Sequence, residues 1–186
     1  KLDKSAKSIE AVKEMLDYPT LGTIPEFQKH LKTELNRPVM LKNEPDSPIS
    51  EAFRIVYTNL RLIKLSSSER PVQSIAISSA VMKEGKSTTS GNLAAAAAEL
   101  GKRVLIIDCD LRNPSQHKVW QLPNEGGLLK VLQNGAEIES VIQEVMPNLD
   151  LIVTGGVNRN PVALLDGSQM AAAIAFGKNN YDLVIL

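Results

Sequence analysis

The sequence is poor in several residue types, and each shortage argues against a class of protein. Cys109 is the only cysteine in the chain, so no internal disulfide can form and a reducing compartment is expected. The two histidines, His30 and His117, have no neighbours spaced like zinc ligands, and Cys109 is not placed to join them. No apolar run reaches the roughly 18 residues that suggest a membrane helix. The composition therefore argues against a disulfide-rich secreted protein, a zinc protein and a membrane-spanning domain.

Charge of one sign is not in excess either. The chain has 21 basic and 21 acidic residues and a formal net charge of zero. Proteins that bind nucleic acid through its phosphates usually carry a basic excess, so we expect no nucleic-acid partner. With 186 residues, 43% of them hydrophobic, the chain suits one α/β domain with an appendage. Because it begins at Lys1 and not at methionine, we expect it to be a piece of a longer protein.

What is present is a phosphate-binding loop at residues 80–87, with Ala80 at the first position of the motif. The alternating run at 74–78 predicts a strand before the loop, and residues 87–100 predict a helix after it that ends at Gly101. Lys86 would place a cation on the outer phosphates, and the Ser87 hydroxyl can ligate Mg²⁺. The predicted nucleotide-binding residues are Lys83, Glu84, Gly85, Lys86, Ser87 and Thr88.

Two acids follow the next predicted strand. Residues 104–107 form a β-branched apolar run typical of a buried parallel strand, and Asp108 and Asp110 come directly after it. Ligands of open α/β sheets sit beyond the carboxyl ends of the strands, so both carboxylates should lie near the phosphates. One of them can hold Mg²⁺, and the other can accept a proton from an attacking hydroxyl.

Strand and helix patterns alternate through the rest of the chain. Further strands are predicted at 149–154 and 181–186, and helices at 128–132, 138–145 and 161–176, the last interrupted by Gly167. This alternation predicts an α/β fold of the P-loop NTPase type, a mostly parallel sheet with helices on both faces. We expect the nucleotide-binding domain to span 48–186.

Residues 1–47 are predicted to be a separate N-terminal segment. It would contain a helix at 8–16, an extended stretch at 19–25 and a linker at 42–48.

The clearest amphipathic helix spans residues 49–63. Ser47 is its expected N-cap, and Pro48 suits the first helical position. Its apolar stripe comprises Ile49, Phe53, Val56, Leu60 and Ile63. Its polar side carries Glu51, Arg54 and Arg61, with Tyr57 at the flank. Glu51 and Arg54 either pair with each other on a solvated face, which is the default interpretation, or contact another subunit.

Several of these motifs together resemble the cytoplasmic domain of bacterial tyrosine kinases that control capsule and exopolysaccharide export. Residues 80–88 look like that family's Walker A loop and 105–114 like its Walker A′ motif. Residues 51–61 look like its Glu-x-x-Arg-x-x-Arg helix, 181–186 like the approach to its Walker B motif, and 7–25 like the segment that follows the last membrane helix of the fused forms.

The resemblance implies an ATP- and Mg²⁺-dependent tyrosine kinase that autophosphorylates in trans at the cytoplasmic face of the inner membrane. It makes Asp108 the base that activates the tyrosine hydroxyl, Lys86 the group that neutralises the phosphates, and Ser87 and Asp110 the metal-site residues. It also implies self-association through Glu51, Arg54 and Tyr57, with Tyr57 in place of the family's last arginine.

The resemblance also implies a partner outside the kinase domain, a membrane-embedded polysaccharide co-polymerase segment in the same longer protein. In that family a Walker B aspartate would come directly after Leu186, and a tyrosine-rich tail beyond it would favour the kinase over a regulatory ATPase.

Two other functions remain open on the sequence alone. The first is a regulatory P-loop ATPase or assembly switch of the partition type, without kinase activity. Those ATPases usually carry an extra lysine early in the loop, where this chain has Val81 and Met82, which favours the kinase. The second is a scaffold that sets polysaccharide length through protein contacts alone.

Overall fold

The computed structural model describes residues 18–26, 39–63 and 71–186. The helices are α1 (Met40–Asn43), α2 (Pro48–Leu62), α3 (Lys86–Glu99), α4 (Gln116–Val119), α5 (Leu128–Asn134), α6 (Val162–Leu165) and α7 (Ser168–Asn180). The strands are β1 (Ser74–Ile75), β2 (Val104–Ile107), β3 (Gln143–Met146), β4 (Leu149–Ile152) and β5 (Leu183–Ile185). The helix predicted at 8–16 and His30 lie outside the described residues. Within the described ranges, no helix combines the length and apolarity needed to cross a bilayer.

The strands form one sheet in the order β1-β5-β2-β4-β3. In this order each neighbouring pair from β1 to β4 is parallel. The last strand, β3, pairs antiparallel with β4. The helix predicted at 138–145 is therefore wrong, since a single 3-10 turn at Ile138–Val141 leads into β3. Its apolar residues have helical spacing, but a tight turn with Asn148 in the left-handed region folds the segment back against the edge of β4. Strand pairing thus overrides the local pattern.

Helices cover both faces of the sheet, as predicted. On one face, Val104 and Ile106 of β2 pack in the core beneath α1, α2 and α3. On the other face, Leu105 and Ile107 pack in a second core with α5 and with Met170 of α7. Because β2 is buried on both sides, its sequence is continuously apolar rather than alternating.

Helix α3 connects the phosphate loop to the core. It begins at Lys86, directly after Gly85, and its run Ala94–Ala98 is almost fully buried against the sheet. Alanine side chains let the helix approach the strands closely, which fixes the height of its first turn above the sheet. The helix therefore holds Lys86 and Ser87 in place relative to the strand ends.

Helix α2 packs on α3, with its cap formed as predicted. Ser47 accepts a hydrogen bond from the Ser50 amide at 3.2 Å, and Pro48 is the first helical residue. The expectation that Tyr57 lies at the flank of the polar side is wrong, because Tyr57 is only 4% exposed and belongs to the core. Tyr57 belongs to the same buried cluster as Phe53 and Leu60 of α2, so the apolar stripe includes it.

The N-terminal side of the predicted domain boundary also contributes to this core. Met40 is buried, and its amide donates to Asn92 Oδ1 of α3 at 2.7 Å. Residues 18–26 form no helix or strand, and Leu21 and Ile24 pack against the same core. The boundary between 47 and 48 stays a prediction, although residues before it share the core of the nucleotide-binding domain.

Candidate active site

A cavity of about 480 Å³ opens at the carboxyl ends of three neighbouring strands, β1, β5 and β2. This is the position where open α/β sheets bind their ligands. Its charged and hydroxyl-bearing lining residues are Ser78, Lys86, Ser87, Ser90, Asp108, Asp110 and Arg112. The structure therefore brings the predicted phosphate-binding lysine and serine to the same cavity as the two predicted acids.

The phosphate loop has the backbone that its motif predicts. Gly85 has a φ of 97°, a left-handed conformation that glycine adopts without steric cost. Lys83 is also left-handed, with a φ of 67°, which is uncommon outside glycine and tends to occur at functional sites. The Val81 amide donates to Glu84 Oε2 at 3.1 Å, so one loop amide is satisfied by a side chain.

The Lys86 ammonium is held by a serine of the segment between β1 and the phosphate loop. It donates to Ser79 Oγ at 3.1 Å, and Ser79 in turn donates to the Val81 carbonyl at 2.9 Å. Ser79 thus holds the lysine at the mouth of the loop, with ammonium protons left to bind an anion. Ser79 gives no signal in the sequence, since a serine between a strand and a phosphate loop has no distinctive spacing.

Asp108 is buried, with 6% of its surface exposed, and is held by backbone amides. Its Oδ1 accepts from the Asp110 amide at 3.1 Å, and its Oδ2 accepts from the amides of Ser115 at 3.2 Å and Gln116 at 3.0 Å. Burial raises the pKa of the Asp108 carboxyl above its ordinary value, and these three hydrogen bonds oppose that shift. The carboxylate is therefore fixed in orientation and more basic than an exposed aspartate.

The neighbouring positions behave differently. Asp110 is more exposed than Asp108, and its Oδ1 accepts from the Asn113 amide at 2.9 Å, which leaves its other oxygen available at the cavity. Cys109 lies between the two acids, and burial raises the pKa of its thiol to about 12, with a further contribution from the charge of Asp108. Such a thiol is protonated at neutral pH and is a poor nucleophile. Cys109 is therefore not suited to act as a nucleophile in this cavity.

Two residues that the sequence analysis missed join the loop to the acids. Ser115 Oγ lies 2.6 Å from Ser87 Oγ, and Gln116 Nε2 donates to the Ser87 carbonyl at 3.0 Å. The amides of the same two residues bind Asp108, as described above. Ser115 and Gln116 thus connect the predicted metal ligand to the predicted base. Their separation of 28 and 29 residues from Ser87 gave no local signal, because only the fold brings them together.

The donor set fits a hard divalent cation such as Mg²⁺. The Ser87 hydroxyl and the carboxylates of Asp108 and Asp110 line one cavity, and oxygen ligands are those that Mg²⁺ prefers. Among the residues that the structure describes, no group of three or more His, Cys, Asp or Glu side chains could hold a metal alone. This suits Mg²⁺, which commonly takes one or two protein ligands and completes its shell with substrate phosphates and water.

The remaining predicted site residues lie outside the lining of this cavity. Lys83, Glu84 and Gly85 belong to the loop above it, and Thr88 is buried in the first turn of α3. Their part in nucleotide binding stays a prediction, since a phosphate loop acts mainly through its backbone amides.

The predicted subunit-contact residues also have partners within the chain. Arg54 Nη2 lies 2.9 Å from Glu99 Oε2, and its Nη1 lies 3.4 Å from Glu51 Oε2. The default interpretation predicted the pair with Glu51, and the structure adds Glu99. A role of Glu51 and Arg54 between subunits stays a prediction, whereas Tyr57 is buried within its own chain and presents little surface to a neighbour.

Comparisons with known proteins agree with this geometry. A family model described as an AAA domain matches residues 72–186. The tyrosine-protein kinase YwqD of Bacillus subtilis (strain 168) is 37% identical over 160 residues, which cover 86% of this chain. The chain spans 66% of that relative's length, slightly under two thirds.

Solved structures give the same result for the fold. The chimeric protein CapA2B2 superposes with a TM-score of 0.81 at 34% identity, over 96% of this chain and 74% of its own. The kinase domain of the Escherichia coli tyrosine kinase ETK superposes with a TM-score of 0.78 at 29% identity, over 92% of this chain and 69% of its own. The P-loop NTPase-like α/β fold and the resemblance to bacterial tyrosine kinases are thereby confirmed. The chain belongs to the AAA-domain family, among relatives that are bacterial tyrosine kinases.

Proposed function

We propose that this chain is the nucleotide-binding catalytic domain of an ATP- and Mg²⁺-dependent protein tyrosine kinase that phosphorylates its own kind. One observation carries the proposal: Lys86 and Ser87 of the phosphate loop line the same cavity as Asp108 and Asp110. Phosphoryl transfer requires mainly positioning and charge neutralisation, and these four side chains supply both. The similarity to YwqD selects tyrosine as the acceptor.

Binding of the triphosphate is the first step. Amides of the loop and of the first turn of α3 would surround the phosphates, aided by the positive end of the α3 dipole. Lys86 would exchange its hydrogen bond to Ser79, now 3.1 Å long, for the outer phosphates. Arg112 lines the cavity as a second cation. Ser87 and Asp110 would hold Mg²⁺, which would neutralise developing charge on the phosphates.

Proton removal from the acceptor is the second step. Asp108 has about four lone-pair positions as a carboxylate, and three of them already accept backbone amides. The fourth would accept the proton of the tyrosine hydroxyl as its oxygen attacks the γ-phosphorus. The raised pKa of Asp108 brings its basicity closer to neutral pH, which favours this role over that of an ordinary surface aspartate.

We further propose that the whole protein acts at the cytoplasmic face of the bacterial inner membrane. There it would regulate exopolysaccharide or capsule synthesis and export, with a membrane-embedded polysaccharide co-polymerase segment as its partner. The resemblance of residues 7–25 to the segment after a membrane helix supports this placement. The same resemblance supports self-association of the kinase domain.

Phosphotyrosine formation tests the enzymatic proposal. The chain is incubated with Mg²⁺ and γ-labelled ATP, with a glutamate–tyrosine copolymer as acceptor, and label on tyrosine is measured. Wild-type protein should label the copolymer, and Lys86→Ala should lose that activity because the loop cation that would face the outer phosphates is removed. Lys178→Ala is the matched control, since Lys178 is an exposed lysine of α7 outside the cavity lining.

The contrary outcome separates the alternatives. Nucleotide binding and phosphate release without any phosphotyrosine would refute the kinase proposal and favour the regulatory ATPase. If Lys86→Ala had no effect on polysaccharide length in cells, the scaffold would be favoured instead.

A further inference from the structure

The three tyrosines of the chain differ sharply in their surroundings, and all three are described. Tyr57 is 4% exposed in the core, and burial raises the pKa of its phenol. Tyr181 is half-buried, and its hydroxyl donates to Asp150 Oδ2 at 2.7 Å. Tyr18 is 76% exposed. Of the three, only Tyr18 presents its ring and hydroxyl to an incoming protein.

The segment that carries Tyr18 has the shape of a bound peptide. Residues 18–26 lie in no helix or strand, with a bend at Tyr18, and the proline that follows Tyr18 disfavours a helical backbone there. The segment is nevertheless attached to the domain, because Asn59 Nδ2 donates to the Leu21 carbonyl at 2.7 Å. An exposed tyrosine on an anchored segment outside helices and strands can be taken up by a second protein with little ordering cost.

Neither Tyr18 nor the two anchor residues, Leu21 and Asn59, line the cavity of their own chain. Arg54 of α2 contacts Glu99, the last residue of α3, whereas Lys86 is the first. With a rise of 1.5 Å per residue, the two ends of α3 are about 20 Å apart. Asn59 follows Arg54 on α2 by five residues.

Asn59 holds Leu21 in place, and Tyr18, three residues earlier, lies outside the lining of the cavity of its own chain. The acceptor hydroxyl of one chain would consequently meet the cavity of another.

We propose that Tyr18 is a phosphoryl-acceptor site of this chain, modified in trans by the active site of a second copy. The inference rests on the proposed kinase function and names a substrate of that same site. The phenol oxygen of Tyr18 forms a bond to the γ-phosphorus of ATP, the bond from that phosphorus to the β,γ-bridging oxygen breaks, and ADP leaves. The phenolic proton passes to Asp108 of the copy that supplies the active site.

The experiment uses two forms of the full chain. The enzyme form carries Tyr18→Phe, so it cannot label itself at this position, and the acceptor form carries Lys86→Ala and a tag. After incubation with Mg²⁺ and γ-labelled ATP, the acceptor is isolated and its phosphopeptides are mapped by mass spectrometry. We expect label at Tyr18, an at least tenfold loss in a Lys86→Ala/Tyr18→Phe acceptor, and no loss in a Lys86→Ala/Tyr181→Phe acceptor.

Three outcomes would overturn the proposal. If the enzyme form labels the glutamate–tyrosine copolymer but leaves Tyr18 unmodified, the acceptor assignment fails and the kinase function stands. If it labels neither, the kinase function fails and the acceptor assignment fails with it. If wild-type protein labels Tyr18 at a rate per molecule that is independent of protein concentration, transfer occurs within one chain and the trans assignment is wrong. Thermal unfolding of the acceptor variants checks that each is folded.

Discussion

Replacement of Ser115 by alanine tests the link between the phosphate loop and the acids most directly. Ser115 Oγ lies 2.6 Å from Ser87 Oγ, while the Ser115 backbone amide separately donates to Asp108. Ser115→Ala removes only the hydroxyl contact, because the amide is unchanged. The variant therefore isolates what the hydroxyl does for the predicted metal ligand.

The expected effect is a weaker affinity for Mg²⁺. To bind a metal, Ser87 must direct a lone pair towards it, and the Ser115 hydroxyl donates to Ser87 Oγ, which fixes the direction of the remaining lone pair. Loss of a partner that orients a metal ligand typically costs about 10- to 100-fold in metal affinity, or about 1.4–2.7 kcal/mol. Because the hydrogen-bonded oxygens are only part-buried, we expect the lower half of that range.

In the assay, Mn²⁺ or Mg²⁺ is titrated into the protein in the presence of a non-hydrolysable ATP analogue. Binding is measured by calorimetry or, for Mn²⁺, by the electron paramagnetic resonance signal of the free ion. Binding of the analogue in the absence of metal should be unchanged. Ser115→Thr keeps the hydroxyl and should retain the wild-type affinity, and Ser140→Ala is a matched serine whose hydroxyl bonds the Glu137 carbonyl instead. Unchanged metal affinity in Ser115→Ala, or an equal loss in Ser115→Thr, would refute the reasoning.

Three further predictions follow from single residues. Burial raises the pKa of Asp108 above its unfolded value, so the stability that its protonated form provides is lost as pH rises from the ordinary aspartate pKa through the raised one. Urea titrations over that pH window measure the free energy of unfolding of wild type and of Asp108→Asn, which cannot titrate at this position. The variant should become more stable relative to wild type as pH rises, and a difference that does not change with pH would contradict the raised pKa. Ser47→Ala should lower the free energy of unfolding by about 1 kcal/mol through loss of the α2 cap, whereas Ser47→Asp should preserve most of it; equal losses would exclude the cap as the cause. Since the Cys109 thiol has a pKa of about 12 against an ordinary 9.0, its alkylation by iodoacetamide near pH 8 should be about 1,000-fold slower than in the urea-unfolded chain, and similar rates would show that the thiol is not shielded.

Most elements near the site could be predicted from local pattern. The phosphate loop, α3 and β2 each carry a signal within a few consecutive residues, and all three form as expected. The segment 138–145 could not be predicted in this way, because its apolar spacing suits a helix and only the open edge of β4 makes it a strand. Tyr57 shows the same limit, since its burial depends on how α2 is rotated against α3.

The sequence by itself determined which chemical groups the site contains and which strands and helices present them. Backbone hydrogen bonding and the repeat of apolar residues act over a few positions. The phosphate loop before α3 and the two acids after β2 can therefore be recognised in the sequence. Only the tertiary structure decided that Ser115 contacts Ser87, that three amides hold Asp108, and that Tyr18 lies exposed while Tyr57 does not. These contacts join residues far apart in the chain, and their free energy depends on the packing of helices against a shared sheet, which no local pattern records.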